Sequence, residues 1–197
     1  MFTLTPLTLT TDKIRLVPLS IEHLEDYYQA GKNPALWRWV PVNPCSNIAQ
    51  TKAWLKQVIT DMEQGQQLAF MIFDINSNSF VGSTRLFNAN TIDGAIEIGH
   101  TFISVNFQRS QVNTHAKYLL LKHAFEQLKV ARVEFRTHQQ NSQSRQAIAR
   151  IGATFEGILR KNRLLADRSY RNTALFSIIN DEWPELKRQF KHSKGVQ

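Results

Sequence analysis

The sequence contains a single cysteine and no long run of apolar residues. Because Cys45 has no second cysteine to pair with, an internal disulfide is excluded. No stretch approaches the roughly 18 uninterrupted apolar residues that a membrane-spanning helix needs. The first residues, MFTLTPLTLTTDK, lack the basic segment and the apolar core of a secretory signal. We therefore expect a soluble, cytoplasmic protein with no membrane partner.

Acidic residues are too few to balance the basic residues in the last third of the chain. Residues 1–131 carry 11 Lys and Arg against 10 Asp and Glu, whereas residues 132–197 carry 13 against 6, so most of the net charge of +8 lies in the second part. Such an excess favours a partner that bears phosphate or other acidic groups. It does not distinguish a nucleotide cofactor from RNA, the ribosome or an acidic protein surface.

The hydrophobic pattern predicts a mixed α/β (α+β) fold. Patterns of period two alternate with patterns of period 3.6, as expected for a sheet flanked by helices. A length of 197 residues, 42% of them hydrophobic, fits one domain over residues 1–197. The predicted order is a strand at Ile14–Leu19, two helices, an antiparallel meander over residues 68–104, a long helix to about residue 128, a strand, a short helix, two strands and a basic C-terminal helix.

Within SVNFQRSQVNTHAK an apolar strand passes through a short polar turn directly into the long helix. The first turn of a helix presents unpaired main-chain N–H groups and the positive end of the helix dipole, which together can bind a phosphate. Every strand-to-helix turn has these groups. This turn alone therefore does not define a function.

Two stretches, FQRSQVNTHAKYLLLKHAFEQL and VARVEFRTHQQNSQSRQAIARIGATFEGILR, resemble the GCN5-related N-acetyltransferase (GNAT) superfamily. More narrowly, they are similar to its RimJ/RimL-like branch, which acetylates the N-termini of ribosomal proteins. The resemblance spans most of the chain, from RLVPL through IEIGHTFIS to FSIINDEWP. It implies a GNAT fold, with a strongly twisted mixed sheet of about seven strands. Its fourth and fifth strands would splay apart to admit acetyl-coenzyme A, and no metal is expected.

The resemblance places the pyrophosphate of acetyl-coenzyme A on the turn before the long helix. The family pattern there is Gln or Arg, two variable residues, Gly, one variable residue, then Gly or Ala. Gln108 matches, and an Asn such as Asn113 is familiar in this branch, but Gln111 stands where glycine is expected and Arg109 where near relatives commonly carry glycine. Glycine lets a phosphate approach the main chain closely. Arg109 could instead supply a charge-assisted contact.

Two interpretations of this altered turn stay open. The chain binds the cofactor in a modified way, or it is a non-catalytic relative that senses coenzyme A or binds a protein. The resemblance implies cofactor contacts from the fourth strand, the turn and the following short helix, namely Phe102, Ile103, Gln108, Arg109, Ser110, Gln111, Val112, Asn113, Thr114, Asn141 and Ser144.

The second stretch carries the catalytic residues that the resemblance implies. Asn141 would bond the pantetheine arm, and Ser144 would act as a general acid toward the departing thiolate. Glu156, just before Gly157, is the first candidate for the general base, and Glu97 is the second. Without the resemblance, Ser144 is better explained as a helix-start hydroxyl and Glu156 as an exposed strand carboxylate.

In the run AIEIGHTFIS, strict alternation places side chains on two faces of a strand. Ile96, Ile98, His100 and Phe102 would share the apolar face, with Glu97, Gly99 and Thr101 on the other. A histidine on an apolar face is typical of a core residue. We therefore predict that His100 is buried and outside the catalytic site.

The acceptor of the acetyl group is expected to be a primary amine, either a protein N-terminus or a small molecule. Trp37 and Trp39, which flank Arg38 between the first two helices, are candidates for the walls of its binding site. Completion of the core by both indoles explains them equally well. Ribosome or RNA binding through the basic segment and a homodimer also remain open.

Overall fold

The computed structural model of the protein describes residues 2–165, 168–192 and 195–196. Its strands are β1 (Leu9–Thr10), β2 (Ile14–Pro18), β3 (Gln67–Asp74), β4 (Ser79–Asn90), β5 (Ala95–Ile103), β6 (Arg132–His138), β7 (Thr154–Leu164) and β8 (Tyr170–Ile179). Its α-helices are α1 (Leu24–Gly31), α2 (Ile48–Glu63), α3 (Val112–Lys122), α4 (Ser142–Arg150) and α5 (Trp183–His192). A π-helical segment, His123–Gln127, continues α3.

The strands form one sheet in the order β1-β2-β3-β4-β5-β6-β8-β7. Every neighbouring pair is antiparallel except β5 and β6, which run parallel. A parallel pair requires a crossover connection, and α3 provides it. The predicted mixed α/β class is confirmed. The two-residue strand β1 adds an edge that the sequence pattern did not predict, so that the expected fourth and fifth strands are β5 and β6.

The parallel strands β5 and β6 separate soon after they meet. They pair only at Ala95 with Arg132, Ile96 with Val133 and Glu97 with Glu134. Beyond these pairs β5 continues to Ile103 and β6 to His138 without further pairing. The gap that opens between them confirms the predicted splay.

The end of β5 instead stays close to β4. Gly82 pairs with Ile103, and a Cβ atom at Gly82 would lie 2.2 Å from the carbonyl oxygen of Phe102. Only glycine allows two backbones to approach so closely here. This contact holds the end of β5 on the β4 side of the gap.

A β-bulge interrupts β5 at His100. Arg85 pairs with Gly99, but the next pair is Ser83 with Phe102, and His100 has a positive φ of 46°. The extra residue on β5 reverses the alternation of side chains after it. The predicted faces are therefore wrong beyond Gly99.

The two faces of the sheet can be assigned from contacts around this bulge. The Phe102 ring packs against Tyr27 of α1 and Trp37, at centroid distances of 5.1 and 5.0 Å. The Thr101 hydroxyl instead accepts a hydrogen bond from Lys117 of α3 at 2.6 Å. Hence α1 and α2 cover one face and α3 the other. Arg85 lies over Trp54 of α2 at 5.1 Å, so its partner position Gly99 and nearby Glu97 belong to the α1/α2 face.

The core lies on both sides of the sheet. Leu55, Val58 and Met62 form the buried stripe of α2, at the helical spacing read from the sequence. Almost every side chain of α3 is buried, because α5 covers it through contacts such as that of Tyr118 with Phe190, 5.5 Å between ring centroids. Among the described residues, no helix is long and apolar enough to cross a membrane.

Candidate active site

The gap between β5 and β6 opens into a cavity of about 920 Å³. This volume lies in the usual range for a small-molecule or cofactor site. Its walls come from the ends of β5 and β6, the segment after α1, the turn before α3, the start of α4 and the paired strands β7 and β8. The cavity therefore runs through the sheet, from the α3 face to the α1/α2 face.

Most of the predicted cofactor contacts line this cavity. They are Phe102, Ile103, Gln108, Arg109, Ser110, Asn113, Thr114, Asn141 and Ser144. Gln111 and Val112 do not line it. They line a smaller cavity beside Lys13 and Asp74, and Gln111 reaches toward Gly195. Gln111 thus does not narrow the main cavity, although glycine is expected at its position.

The turn before α3 is held by its own side chains. The Ser110 hydroxyl donates to the carbonyl oxygen of Phe107 at 2.6 Å and accepts from the Val112 N–H at 3.3 Å. Gln108 donates to the carbonyl oxygen of Ile103 at 3.2 Å and accepts from Gln143 of α4 at 3.2 Å. These bonds fix the helix start, where first-turn N–H groups have no acceptor within the helix.

Arg109 adopts the left-handed backbone conformation, with a φ of 60°. This conformation is costly for a residue with a Cβ atom and is one that glycine adopts readily. The Arg109 side chain lines the main cavity beside the helix start. An arginine therefore lies beside the place where a phosphate would meet the main chain.

Asn141 and Ser144 meet at the start of α4. Asn141 caps the helix, because its Oδ1 accepts from the Ser144 N–H at 3.0 Å. Both residues line the cavity, and among the described residues the Ser144 hydroxyl has no hydrogen-bond partner. The helix cap that sequence reasoning considered for Ser144 is supplied by Asn141 instead.

The structure does not bring Glu156 to the cavity. Its carboxylate is paired with Arg132, which donates to Oε1 at 2.6 Å and also contacts Oε2, and Ser177 donates to Oε1 at 2.7 Å. These bonds lower the pKa of Glu156 to about 2. A carboxylate with so low a pKa is a weak base, so the geometry does not favour Glu156 in that role.

Glu97 lines the cavity on the α1/α2 face and is only 7% exposed. Its Oε2 accepts from Asn88 at 2.9 Å and lies 3.6 Å from Nε of Arg136. Burial raises the pKa of Glu97, while Asn88 and Arg136 oppose the rise. A buried carboxylate with a raised pKa suits a general base at neutral pH.

A chain of ion pairs joins the two carboxylates. Arg136 lies between Glu97 and Glu134, with Nη2 at 2.8 Å from Glu134 Oε2. Arg132 then lies between Glu134, at 3.0 Å, and Glu156. Glu156 is thus linked to the cavity only through three other charged side chains. Glu156 itself does not line the cavity wall.

The bulge turns His100 into the cavity, so the prediction of a core position is wrong. Its ring lies 5.0 Å from that of Phe87 and 6.1 Å from that of Trp54. Desolvation, together with nearby arginines that include Arg85, lowers the pKa of His100 to about 3. The imidazole is therefore neutral at physiological pH. Periodicity could not reveal this position, because a bulge leaves no mark in the hydrophobic pattern.

Sequence reasoning also missed Lys117, which is 6% exposed and lines the cavity from α3. Its ammonium donates to Thr101 at 2.6 Å and lies 3.4 Å from the Thr84 hydroxyl. Burial lowers the pKa of Lys117 to about 7. The only signal in the sequence is a lysine inside a helix that is otherwise buried almost all round.

The two tryptophans line the cavity at its α1/α2 end. Trp37 is fixed by its indole N–H, which donates to the carbonyl oxygen of Gly31 at 2.7 Å. The Trp39 ring lies 4.8 Å from that of His138. Both indoles are half-buried, so they also complete the packing around the cavity mouth. By contrast, Cys45 is buried beneath this segment, and burial raises the pKa of its thiol to about 12.

The charge of the cavity wall is strongly positive. Glu97 is the only acid that lines it among the described residues, against five arginines and one lysine, namely Arg109, Arg136, Arg150, Arg163, Arg171 and Lys117. Potentials of this sign attract anionic ligands. No cluster of three or more metal-ligating side chains occurs in the described parts of the chain.

Comparison with known proteins identifies the family to which this protein belongs. The acetyltransferase (GNAT) domain model matches residues 13–154, and the chain belongs to this family. The splayed strands, the helix start at the gap and the through-going cavity agree with that assignment. The protein is therefore an acyltransferase.

Three relatives illustrate the range of similarity. An uncharacterized N-acetyltransferase from Bacillus licheniformis is 22% identical over 182 residues, which cover 89% of this chain and 98% of that protein. A GCN5-related N-acetyltransferase from Brucella melitensis superposes with a TM-score of 0.87 at 28% identity, covering 95% of this chain and 85% of the other. RimJ from Mycobacterium smegmatis, in complex with CoA-disulfide, superposes at 0.86 with 19% identity over 100% and 99% of the two chains.

Proposed function

We propose that the protein transfers acetyl from acetyl-coenzyme A to a primary amine by direct attack within a ternary complex. The observation that carries this proposal is the through-going cavity. One end has a helix start with an adjacent guanidinium, and the other has a buried carboxylate of raised pKa. Donor and acceptor can thus approach the opening between β5 and β6 from opposite faces of the sheet.

The α3 face suits the donor. First-turn N–H groups of α3 and the Arg109 side chain converge where a pyrophosphate would bind. Beyond Glu97, β5 has no partner strand on its β6 side. The main-chain N–H groups that point to this side, in the segment that includes Phe102 and Ile103, are therefore free to bind the pantetheine arm and polarise the thioester carbonyl.

The α1/α2 face suits the acceptor. The amine nitrogen bonds to the thioester carbonyl carbon as the carbon–sulfur bond breaks, and one amine proton passes to Glu97, directly or through a water. Ser144, whose hydroxyl is uncommitted on the cavity wall, donates a proton to the departing thiolate and recovers one from solvent. Since Glu97 must be ionised to act, we expect the rate to fall as the pH drops through its raised pKa.

An α-amine is the favoured acceptor group. With a pKa near 7.7 to 8.0 it is neutral in on the order of 10% of molecules at pH 7, whereas a lysine side chain near 10.4 is neutral in only about 0.04%. One buried carboxylate suffices for the first and not for the second. The overall similarity to RimJ supports the RimJ/RimL-like branch, and a ribosomal-protein N-terminus is accordingly the first acceptor to test.

Titration calorimetry with acetyl-coenzyme A tests the donor site. Binding at micromolar concentration is expected, and absence of binding at millimolar donor would defeat the enzyme proposal. Binding without transfer to any amine in a screen of N-terminal peptides, polyamines and aminoglycosides would favour the alternative, a coenzyme A-sensing or protein-binding module.

Replacing the two carboxylates separately tests the base. We expect Glu97→Gln to lower kcat by about 100-fold, because it removes a general base, while acetyl-coenzyme A affinity stays within about twofold. Glu156→Gln is the matched comparison, since it makes the same chemical change outside the cavity. A loss of kcat confined to Glu156→Gln would reinstate Glu156 as the base and remove Glu97 from the mechanism.

A further inference from the structure

Two arginines lie at the acceptor end of the cavity, and neither is within ion-pair distance of an acid among the described residues. Arg163 of β7 and Arg171 of β8 are register partners, and both line the cavity. Arg171 is only 7% exposed, whereas Arg163 is exposed. Neither takes part in any ion pair that the described residues form.

The bonds of Arg171 leave part of its guanidinium uncommitted. Its Nε donates to the Thr173 hydroxyl at 3.3 Å, and Nη1 donates to the carbonyl oxygen of Trp39 at 3.2 Å. Nη2 has no hydrogen-bond partner among the described residues. A buried cation is costly when the groups that hold it in place are neutral oxygens and no acid of the described residues forms an ion pair with it. An anionic ligand in the cavity would supply that charge.

The other charges nearby do not neutralise this pair. Glu134 and Glu97 both form ion pairs with Arg136, and among the described residues neither forms one with Arg171 or Arg163. Glu97 raises the pKa of Arg171, but burial and the nearby Arg163 outweigh this and lower it. Both arginines also depress the pKa of His100, which shows that the positive potential reaches the bulge of β5.

The pair lies on the acceptor side of the sheet. Arg136 and Leu175 are register partners, and alternation places Thr173 and Arg171 on the face of Leu175. The bond from Arg171 to the Trp39 carbonyl, in the segment between α1 and α2, confirms that this is the α1/α2 face. The helix start of α3 lies on the opposite face. The pair is therefore separate from the phosphate-binding turn.

We propose that the acceptor is an amine whose molecule also carries a carboxylate or phosphate, bound by Arg171 and Arg163 while the amine faces Glu97. This inference rests on the proposed acetyl transfer and narrows its substrate class. Trp39, anchored by the same Arg171, provides a flat wall beside the anion site. The anionic group thus orients the acceptor, and the carboxylate Glu97 receives its proton at the other end.

Dipeptide probes test the anion site with little change in amine basicity. Trp-Gly and its C-terminal amide differ in one carboxylate that is a residue away from the α-amine. Trp-Ser amide and Trp-phosphoserine amide form the phosphate arm. We expect kcat/KM with saturating acetyl-coenzyme A to favour one or both anionic probes by about tenfold or more, as charge-assisted hydrogen bonds predict. The arm with the larger ratio identifies the anion.

Arg163→Gln is the decisive variant, because Arg163 is exposed and holds no other described residue in place. It should reduce the preference to about twofold while acetyl-coenzyme A affinity is unchanged. Arg160→Gln is the matched control, since Arg160 is exposed on the same strand and does not line the cavity. Its preference should equal that of the original protein.

Calorimetry on the coenzyme A-loaded protein gives the same comparison without turnover, so failure of the transfer reaction does not obscure the result. Tighter binding of an anionic probe than of its neutral partner, lost in Arg163→Gln, supports the site. Equal binding, absence of binding of all four probes at millimolar concentration, or a preference that survives Arg163→Gln overturns it. Loss of acetyl-coenzyme A binding would instead overturn the acetyltransferase proposal.

Discussion

The two halves of β5 differ in which side chains face α1 and α2. Odd-numbered positions face these helices before the bulge, and even-numbered positions face them after it. Before the bulge, Glu97 faces α1 and α2 and contacts Asn88 and Arg136. After it, Thr101 faces α3 and accepts a bond from Lys117. One strand therefore contributes to both ends of the cavity, with the Glu97 carboxylate on the α1/α2 face and the Thr101 hydroxyl, bonded to Lys117, on the α3 face.

A single extra residue in β5 therefore determines that Glu97 and Thr101 face opposite sides of the sheet. Without the bulge, regular alternation would place Glu97 and Thr101 on the same face. Lys117 would then lose its hydroxyl partner, and Phe102 would leave the aromatic contact with Tyr27 and Trp37. The bulge therefore positions the side chains that line the site.

Deleting His100 should have the largest effect, because it removes the bulge. Because it reverses every side chain after Gly99, we expect the free energy of unfolding to fall by several kcal/mol, as for burial of a polar group without its partner. Urea denaturation measures the loss. His100→Gly is the control, since glycine accepts the observed positive φ, and its stability should match or exceed that of the original. A stable deletion variant with intact donor binding would show that the bulge is dispensable.

Lys117→Met tests the contact that Lys117 makes with the half of β5 after the bulge. Lys117 has a pKa of about 7 in the folded protein and near 10.4 when unfolded, so the unfolded chain binds the extra proton between these values. Stability should therefore rise with pH across this window, by up to about 1.4 kcal/mol per unit. The variant should lose that slope.

Urea unfolding at pH 7, 8 and 9 measures the slope in each protein. Lys122→Met is the matched control, because Lys122 is an exposed lysine at the end of the same helix. Its slope should equal that of the original protein. An unchanged slope in Lys117→Met would mean that Lys117 titrates as an ordinary surface lysine.

Arg109→Gly has the smallest expected effect, and it acts at the donor end alone. Glycine relieves the left-handed conformation, so we expect a stability gain of about 1 kcal/mol. The affinity for acetyl-coenzyme A should fall by about tenfold, because a cavity-facing guanidinium is lost. Thermal unfolding and calorimetry measure the two effects.

Gln111→Gly provides the contrast at the neighbouring altered position. Gln111 has an ordinary φ of −76° and does not line the main cavity, so donor affinity should stay within about twofold. A higher affinity in Arg109→Gly would contradict our view of the turn. It would indicate a degraded phosphate site and favour the non-catalytic alternative.

Local patterns predicted the order of elements, whereas the splay and the residues of the cavity wall were expectations from the resemblance to the GNAT superfamily. The amphipathic stripe of α2 and the polar turn before α3 are local in sequence, so periodicity and turn chemistry capture them. The bulge at His100 is not local information, because it is defined by the register with β4. The pairing of Glu156 with Arg132, 24 residues away, is likewise tertiary. These two features reversed the ranking of the carboxylates and brought His100 into the site.

The parallel junction has a mechanical consequence. Only three register pairs, from Ala95 to Glu97, join the five-strand part of the sheet to the three-strand part. The two parts of the sheet therefore meet along a short junction, and the cavity opens beyond the end of this junction at Glu97. A small rotation of one part about this junction would produce a larger change in the width of the cavity mouth, because β5 and β6 extend well beyond the junction. The width of the cavity can thus change while every other ladder of the sheet stays intact.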